Sequence, residues 1–105
     1  MIVTGCSNGH PNLATGSGYG VRIAIQDRDA YFRRRWSHVI LRLEGGDTMR
    51  VSLSPFFWRR CSELRSAEIG RWMLENCVAP WTKGSPPRLR LEPIGEAGFR
   101  LSVES

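Results

Sequence analysis

The chain has 105 residues, 41% of them hydrophobic and 24% charged, with a formal net charge of +5. That length is one ordinary domain, and the composition is far from a disordered chain. No run reaches the ~18 apolar residues of a transmembrane helix, and Met1–Cys6 lacks the basic and apolar regions of a secretory signal. The basic residues are 14 arginines and the single Lys83. A basic balance of this kind favours polyanions or acidic proteins as partners. The cysteines, Cys6, Cys61 and Cys77, form no even-numbered disulfide framework. The expectation is a cytoplasmic protein with no membrane partner.

In chain order, residues 1–18 are rich in Gly, Ser, Asn and Thr without periodicity, and read as a flexible or loosely docked arm. Residues 19–105 read as a single α+β domain. Val21, Ile23 and Ile25 alternate with Arg22, Ala24 and Gln26, the pattern of a first strand. Residues 27–36 connect onward, with Asp27 or Asp29 able to cap a helical turn. Val39, Leu41 and Leu43, a Gly45-Gly46-Asp47 turn, then Met49, Val51 and Leu53 spell a β-hairpin. Ser54-Pro55 is a helix start. The apolar stripes Phe57/Cys61/Leu64 and Ile69/Trp72/Met73/Cys77 do not align, so two helices are expected, near 55–64 and 66–77, with Ser66 as the second N-cap. Both Cys61 and Cys77 then behave as small core residues. A Pro-stiffened exposed loop spans 79–87. A second hairpin closes the chain, with Leu89 and Leu91 answered by Phe99, Leu101 and Val103. The expected fold is a small, mainly antiparallel sheet of about five strands in the order β-β-β-α-β-β, with one or two helices on one face.

The chemistry of the pattern lies in the arginines. Arg22, Arg42, Arg50, Arg88, Arg90 and Arg100 alternate with apolar residues and fall on the outward sheet face. Guanidinium forks pair bidentately with phosphates. Two basic-aromatic runs add to this: Tyr31-Phe32-Arg33-Arg34-Arg35-Trp36 and Phe56-Phe57-Trp58-Arg59-Arg60, the mixture of stacking rings and phosphate-binding groups found on single-strand binding surfaces. Arg33, Arg34, Arg35, Arg59, Arg60, Arg88 and Arg90 are therefore the nucleic-acid-binding candidates. The bland alternative is a solvated face on which Glu44, Glu92 and Glu104 pair across strands, with Phe32, Trp36 and Phe57 anchoring the core where chain segments join rather than serving as a stacking platform.

Trp36, His38 and Ile40 share the side opposite Val39, Leu41 and Leu43. With Trp81 they are the candidate partner-binding residues, for a homodimer about a two-fold axis or an acidic protein. The remaining patterns are weak. Cys6 and His10 are spaced C-x₃-H with no second ligand pair, so no metal is expected. Gly16, Gly18 and Gly20 precede a strand rather than a helix and read as a flexible hinge. No nucleophile–base pair and no paired carboxylates are discernible, so no cofactor or catalytic residue is assigned and an enzyme is the third choice. The leading expectation is a small basic non-enzymatic binding domain for nucleic acid. The alternative is a protein-interaction domain.

Overall fold

A computed structural model describes residues 1–104. Its strands are β1 (Ile2–Ser7), β2 (Tyr19–Arg22), β3 (His38–Leu43), β4 (Thr48–Ser52), β5 (Glu63–Arg65), β6 (Arg88–Pro93) and β7 (Gly98–Val103), and its helices are α1 (Ile25–Tyr31), α2 (Pro55–Arg59) and α3 (Ala67–Glu75). The strands form one seven-stranded sheet in the order β4-β3-β7-β6-β1-β2-β5. All neighbours are antiparallel except β3 and β7, which run parallel. The sheet curls until its two edges approach. Ser66, directly after β5, donates from Oγ to Sδ of Met49 on β4 at 3.4 Å. The five-strand, mainly antiparallel sheet expected from sequence is therefore wrong. The molecule is a mixed, nearly closed, barrel-like sheet with three short helices.

Both hairpins form as their alternation predicts, and they join each other through the parallel β3–β7 contact. The error lies in the strands outside them. The segment read as an arm contains β1, which sits between β6 and β2 near the middle of the sheet. Its inward positions are Val3 and Gly5, so the apolar alternation is cut short by a glycine. That glycine is required by packing: a Cβ on Gly5 would stand 2.7 Å from Cγ of Pro87, whose carbonyl accepts from the Gly5 N–H at 2.9 Å. The 79–87 loop is thus anchored at both ends, by Pro87 on β1 and by Trp81 against Tyr19 at 5.5 Å, while Thr82–Pro86 stays exposed.

The 55–64 helix is also corrected. It ends at Arg59, and the chain extends into β5, whose three residues bury only Leu64. Cys61 and Cys77 are exposed rather than core residues. The first strand ends at Arg22; Ile25 opens α1 and is 59% exposed. Ala24, not Asp27 or Asp29, stands at the α1 N-cap. Ser66 does cap α3, accepting from the Ile69 N–H at 3.1 Å. The glycine hinge proves to be a close approach: Gly16, at φ +79°, lies directly against Gly70 of α3, and a Cβ on either would strike the other's backbone.

The core fills the inner face. Val21, Leu41, Leu64, Leu89, Leu91 and Leu101 are fully buried there. Met73 and Trp72 of α3 cover them from one side, and the Trp72 indole donates to the Glu44 carbonyl at 2.8 Å. On the other side Phe32 stacks on Phe99 at 4.5 Å and meets Phe57 at 5.1 Å. Aromatic contacts of this kind add to area burial. Arg28 of α1 is buried with them, and its guanidinium donates to the Phe57 and Trp58 carbonyls at the end of α2. A cation suits that position because the helix leaves carbonyls unsatisfied there.

Candidate functional site

With the inner face packed, the chemistry is left to the outer face. Period-2 alternation holds along the strands, and Arg22, Arg42, Arg50, Arg88, Arg90 and Arg100 are all exposed there. The register shows how they are arranged. Arg42 and Arg100 stand directly opposite on the parallel pair β3 and β7. Arg50 lies opposite Ile40, one diagonal step from Arg42, and Arg90 lies opposite Ser102, one diagonal step from Arg100. Arg50, Arg42, Arg100 and Arg90 therefore form a band across four adjacent strands, spanning roughly 14 Å at ordinary strand spacing. Glu44 reaches Arg100 at 3.7 Å. Among the described residues no carboxylate comes within ion-pair distance of Arg42, Arg50 or Arg90. Like charges placed directly opposite in a sheet oppose folding, and Glu92, opposite Arg100 on its other neighbour β6, offsets part of that cost.

The other end of the same face is arranged differently. The Glu63 side chain is only 6% exposed. One carboxylate oxygen accepts from Nε and Nη2 of Arg22 at 2.9 and 2.7 Å, and the other accepts from the same atoms of Arg65 at 2.9 and 2.7 Å. Burial works to raise the Glu63 carboxyl, but the hydrogen bonds and charges of the two arginines outweigh it and hold it below the ordinary carboxylate value. Hydrogen bonding to Glu63 pushes Arg22 further up. Beside them, burial and then the Glu63 charge push the Cys6 thiol up to about 12. A groove of about 390 Å³ opens next to this cluster, with Ile2, Ile25, Arg60 and Cys61 in its lining. Among its lining residues the one carboxylate is Glu63, whose oxygens each already accept two hydrogen bonds from arginine.

The nucleic-acid candidates divide among three places. Arg88 and Arg90 lie on the outer face, where Arg88 meets Glu104 at 3.6 Å. Arg60 lines the groove. Arg33, Arg34, Arg35 and Arg59 lie around α1 and α2. There Arg35 pairs with Glu96 at 2.7 Å, Arg34 covers the Trp58 ring at 4.7 Å, and Arg59 lies over Phe56 at 5.4 Å. The rings of the two basic-aromatic runs divide evenly among buried, half-buried and exposed positions, with Trp36 and Trp58 half-buried against the core. Phe32 and Phe57 are buried, and Phe56 and Tyr31 remain exposed.

Of the partner candidates, Trp36 packs edge-on against Phe32 and Phe99 and donates to Glu96 at 3.2 Å. Trp81 packs on Tyr19. His38 is half-buried, with Nδ1 3.2 Å from the Ser37 hydroxyl. Ile40 is 38% exposed, and with Ile94 it lines a shallow depression of about 150 Å³ beside Arg42. The residue that sequence reasoning missed is Glu63. Its Glu-Leu-Arg alternation was the available signal, too short to separate from a helix.

Among the described residues no three His, Cys, Asp or Glu side chains gather as a metal site, and no helix is long and apolar enough to cross a membrane. No family model, curated protein or solved structure matches this chain.

Proposed function

We propose that this protein is a small non-enzymatic binding domain that takes a polyanion, nucleic acid first, along the arginine band of its outer face. The observation that carries the reading is the Arg42–Arg100 juxtaposition, flanked by Arg50 and Arg90 on exposed strands, where the guanidiniums outnumber the carboxylates beside them, Glu44 at 3.7 Å from Arg100 and Glu92 opposite Arg100 in the register. An arrangement that disfavours the free fold is relieved when phosphates sit between the guanidinium forks. The three unpaired cysteines fit a reducing, cytoplasmic compartment.

Binding of a labelled mixed-sequence oligonucleotide across a salt series tests this. Affinity should fall steeply with salt, because displaced counterions drive association. Replacing Arg42 and Arg100 together by Glu should abolish detectable binding, and each single Arg→Ala change in the band should lower the salt slope by roughly one. The triple change of Arg33, Arg34 and Arg35 to Glu should weaken binding less. Undetectable binding at low salt would refute the proposal.

A second reading rests on Ile40 and Ile94. Two exposed aliphatics around a depression on the arginine face suit a protein partner, either an acidic surface or a second copy of the chain. In that case Ile40→Asp disrupts association seen by sedimentation while leaving the fold intact. A monomer at every concentration excludes the second copy.

A further inference from the structure

The aromatic rings are distributed very differently from the arginines. Among the described residues, no outward strand position carries Phe, Tyr or Trp. Tyr19 and Phe99, the rings within strands, both point inward and are buried. The indoles are engaged elsewhere: Trp36 on Phe99, Trp58 beneath Arg34, Trp72 bonded to the Glu44 carbonyl and Trp81 on Tyr19. The exposed rings, Tyr31 and Phe56, belong to α1 and α2, whose neighbours Phe32 and Phe57 pack toward the inner face. The exposed rings are therefore carried by the helices, and none stands on the strands that carry the arginine band.

Single-stranded binders gain affinity by stacking unpaired bases on aromatic platforms. The band has guanidinium forks and no platform. A base-paired duplex needs none, because its bases already stack on each other and it presents phosphates at one charge per ~1.7 Å of axis. Contacts to phosphate fix position and carry no sequence information. We infer that the ligand of the outer face is a base-paired nucleic-acid duplex, held through its phosphates alone and without sequence preference. The inference rests on the polyanion reading above and narrows it.

The test compares labelled duplexes of two different sequences with oligo-dT and oligo-dA single strands of the same length. Binding is followed by anisotropy between about 50 and 200 mM salt, with tryptophan fluorescence recorded alongside. Each duplex should bind at least as tightly as either single strand, the two duplexes should agree within about threefold, and tryptophan emission should not be quenched. Arg42→Ala and Arg90→Ala should weaken duplex binding more than Tyr31→Ala or Phe56→Ala. A single strand bound about tenfold tighter than duplex, with quenching and with Tyr31 or Phe56 dominant, would overturn the duplex inference while leaving the polyanion reading standing. Failure of all four ligands to bind at low salt would overturn both.

Discussion

The two ends of the outer face use the same residue type to opposite effect. Around Glu63, Arg22 and Arg65 are each held by two hydrogen bonds to a nearly buried carboxylate. Across β4, β3, β7 and β6, of Arg50, Arg42, Arg100 and Arg90 only Arg100 has carboxylates beside it among the described residues, Glu44 at 3.7 Å and Glu92 opposite it in the register. In the first cluster one carboxylate engages both guanidiniums and cancels one of their two charges, whereas in the second most of the guanidiniums have no carboxylate within ion-pair distance. A net charge of +5 therefore says little by itself. What matters is which guanidiniums already have their anion.

The sharpest expression of that difference is accessibility. Cys6 lies under the Glu63 cluster, buried and with its thiol pushed up to about 12, whereas Cys61 and Cys77 are exposed. A thiol reagent near neutral pH should label two cysteines at once. Cys6 should follow only on unfolding, slower by roughly a thousandfold or more, as a group protected by the whole stability of the domain. Three thiols reacting at one rate would mean that β1 is not held between β6 and β2.

Removing the internal anion should convert the closed corner into a copy of the open band. Glu63→Ala strands two guanidiniums around an apolar gap. Breaking a buried pair costs about 3–5 kcal/mol. Arg22 and Arg65 have side chains 62% and 38% exposed and can rehydrate, so a loss of about 2 kcal/mol is expected. A denaturant midpoint measures it. The same variant should bind polyanions more tightly, since it releases two forks. A Glu63→Ala protein with lower stability and unchanged affinity would separate the corner from the binding face.

The acid limb of stability carries the same information more gently. Glu63 titrates below its ordinary value in the folded state. Its ionised form therefore contributes fully above the unfolded value, near 4.5, and that contribution disappears as pH falls through the lower folded value. The stability gap between the native chain and Glu63→Gln should narrow on acidification below roughly pH 4.5. A gap independent of pH would show that packing rather than charge holds the corner.

The arginine band was more legible in the sequence than the fold that carries it. Arg-Leu-Arg-Leu-Glu at 88–92 and Met-Arg-Val-Ser-Leu at 49–53 state their own faces, because a hairpin with one buried side must alternate. Strand order could not be read the same way. It depends on the parallel β3–β7 pairing, which joins residues far apart along the chain and leaves no local periodicity. β1 was invisible because its inward Gly5 is selected by Pro87 above it, a partner 82 positions away. β5 was invisible because three residues cannot establish a period. The basic-aromatic runs were legible in part: a ring beside an arginine in sequence does not say by itself whether the ring faces solvent, but Phe32 and Phe57 were readable as core anchors and do face the core.

The smallest expected effect discriminates best between a working band and an ordinary solvated surface. Arg42 faces Arg100 directly, so Arg42→Thr removes a like-charge pair and places a good strand former on an exposed position. Stability should rise by a few tenths of a kcal/mol. Part of that gain is strand propensity, and Arg50→Thr isolates it, because Arg50 faces Ile40 and has no like-charge partner opposite. The excess of the first change over the second is the cost of holding Arg42 against Arg100 in the free protein. Both substitutions should weaken polyanion binding. Stability and affinity then move in opposite directions at Arg42, as expected of a residue kept for a ligand. If Arg42→Thr lowers stability instead, the guanidinium is part of the packing of the outer face, and the juxtaposition with Arg100 loses its functional meaning.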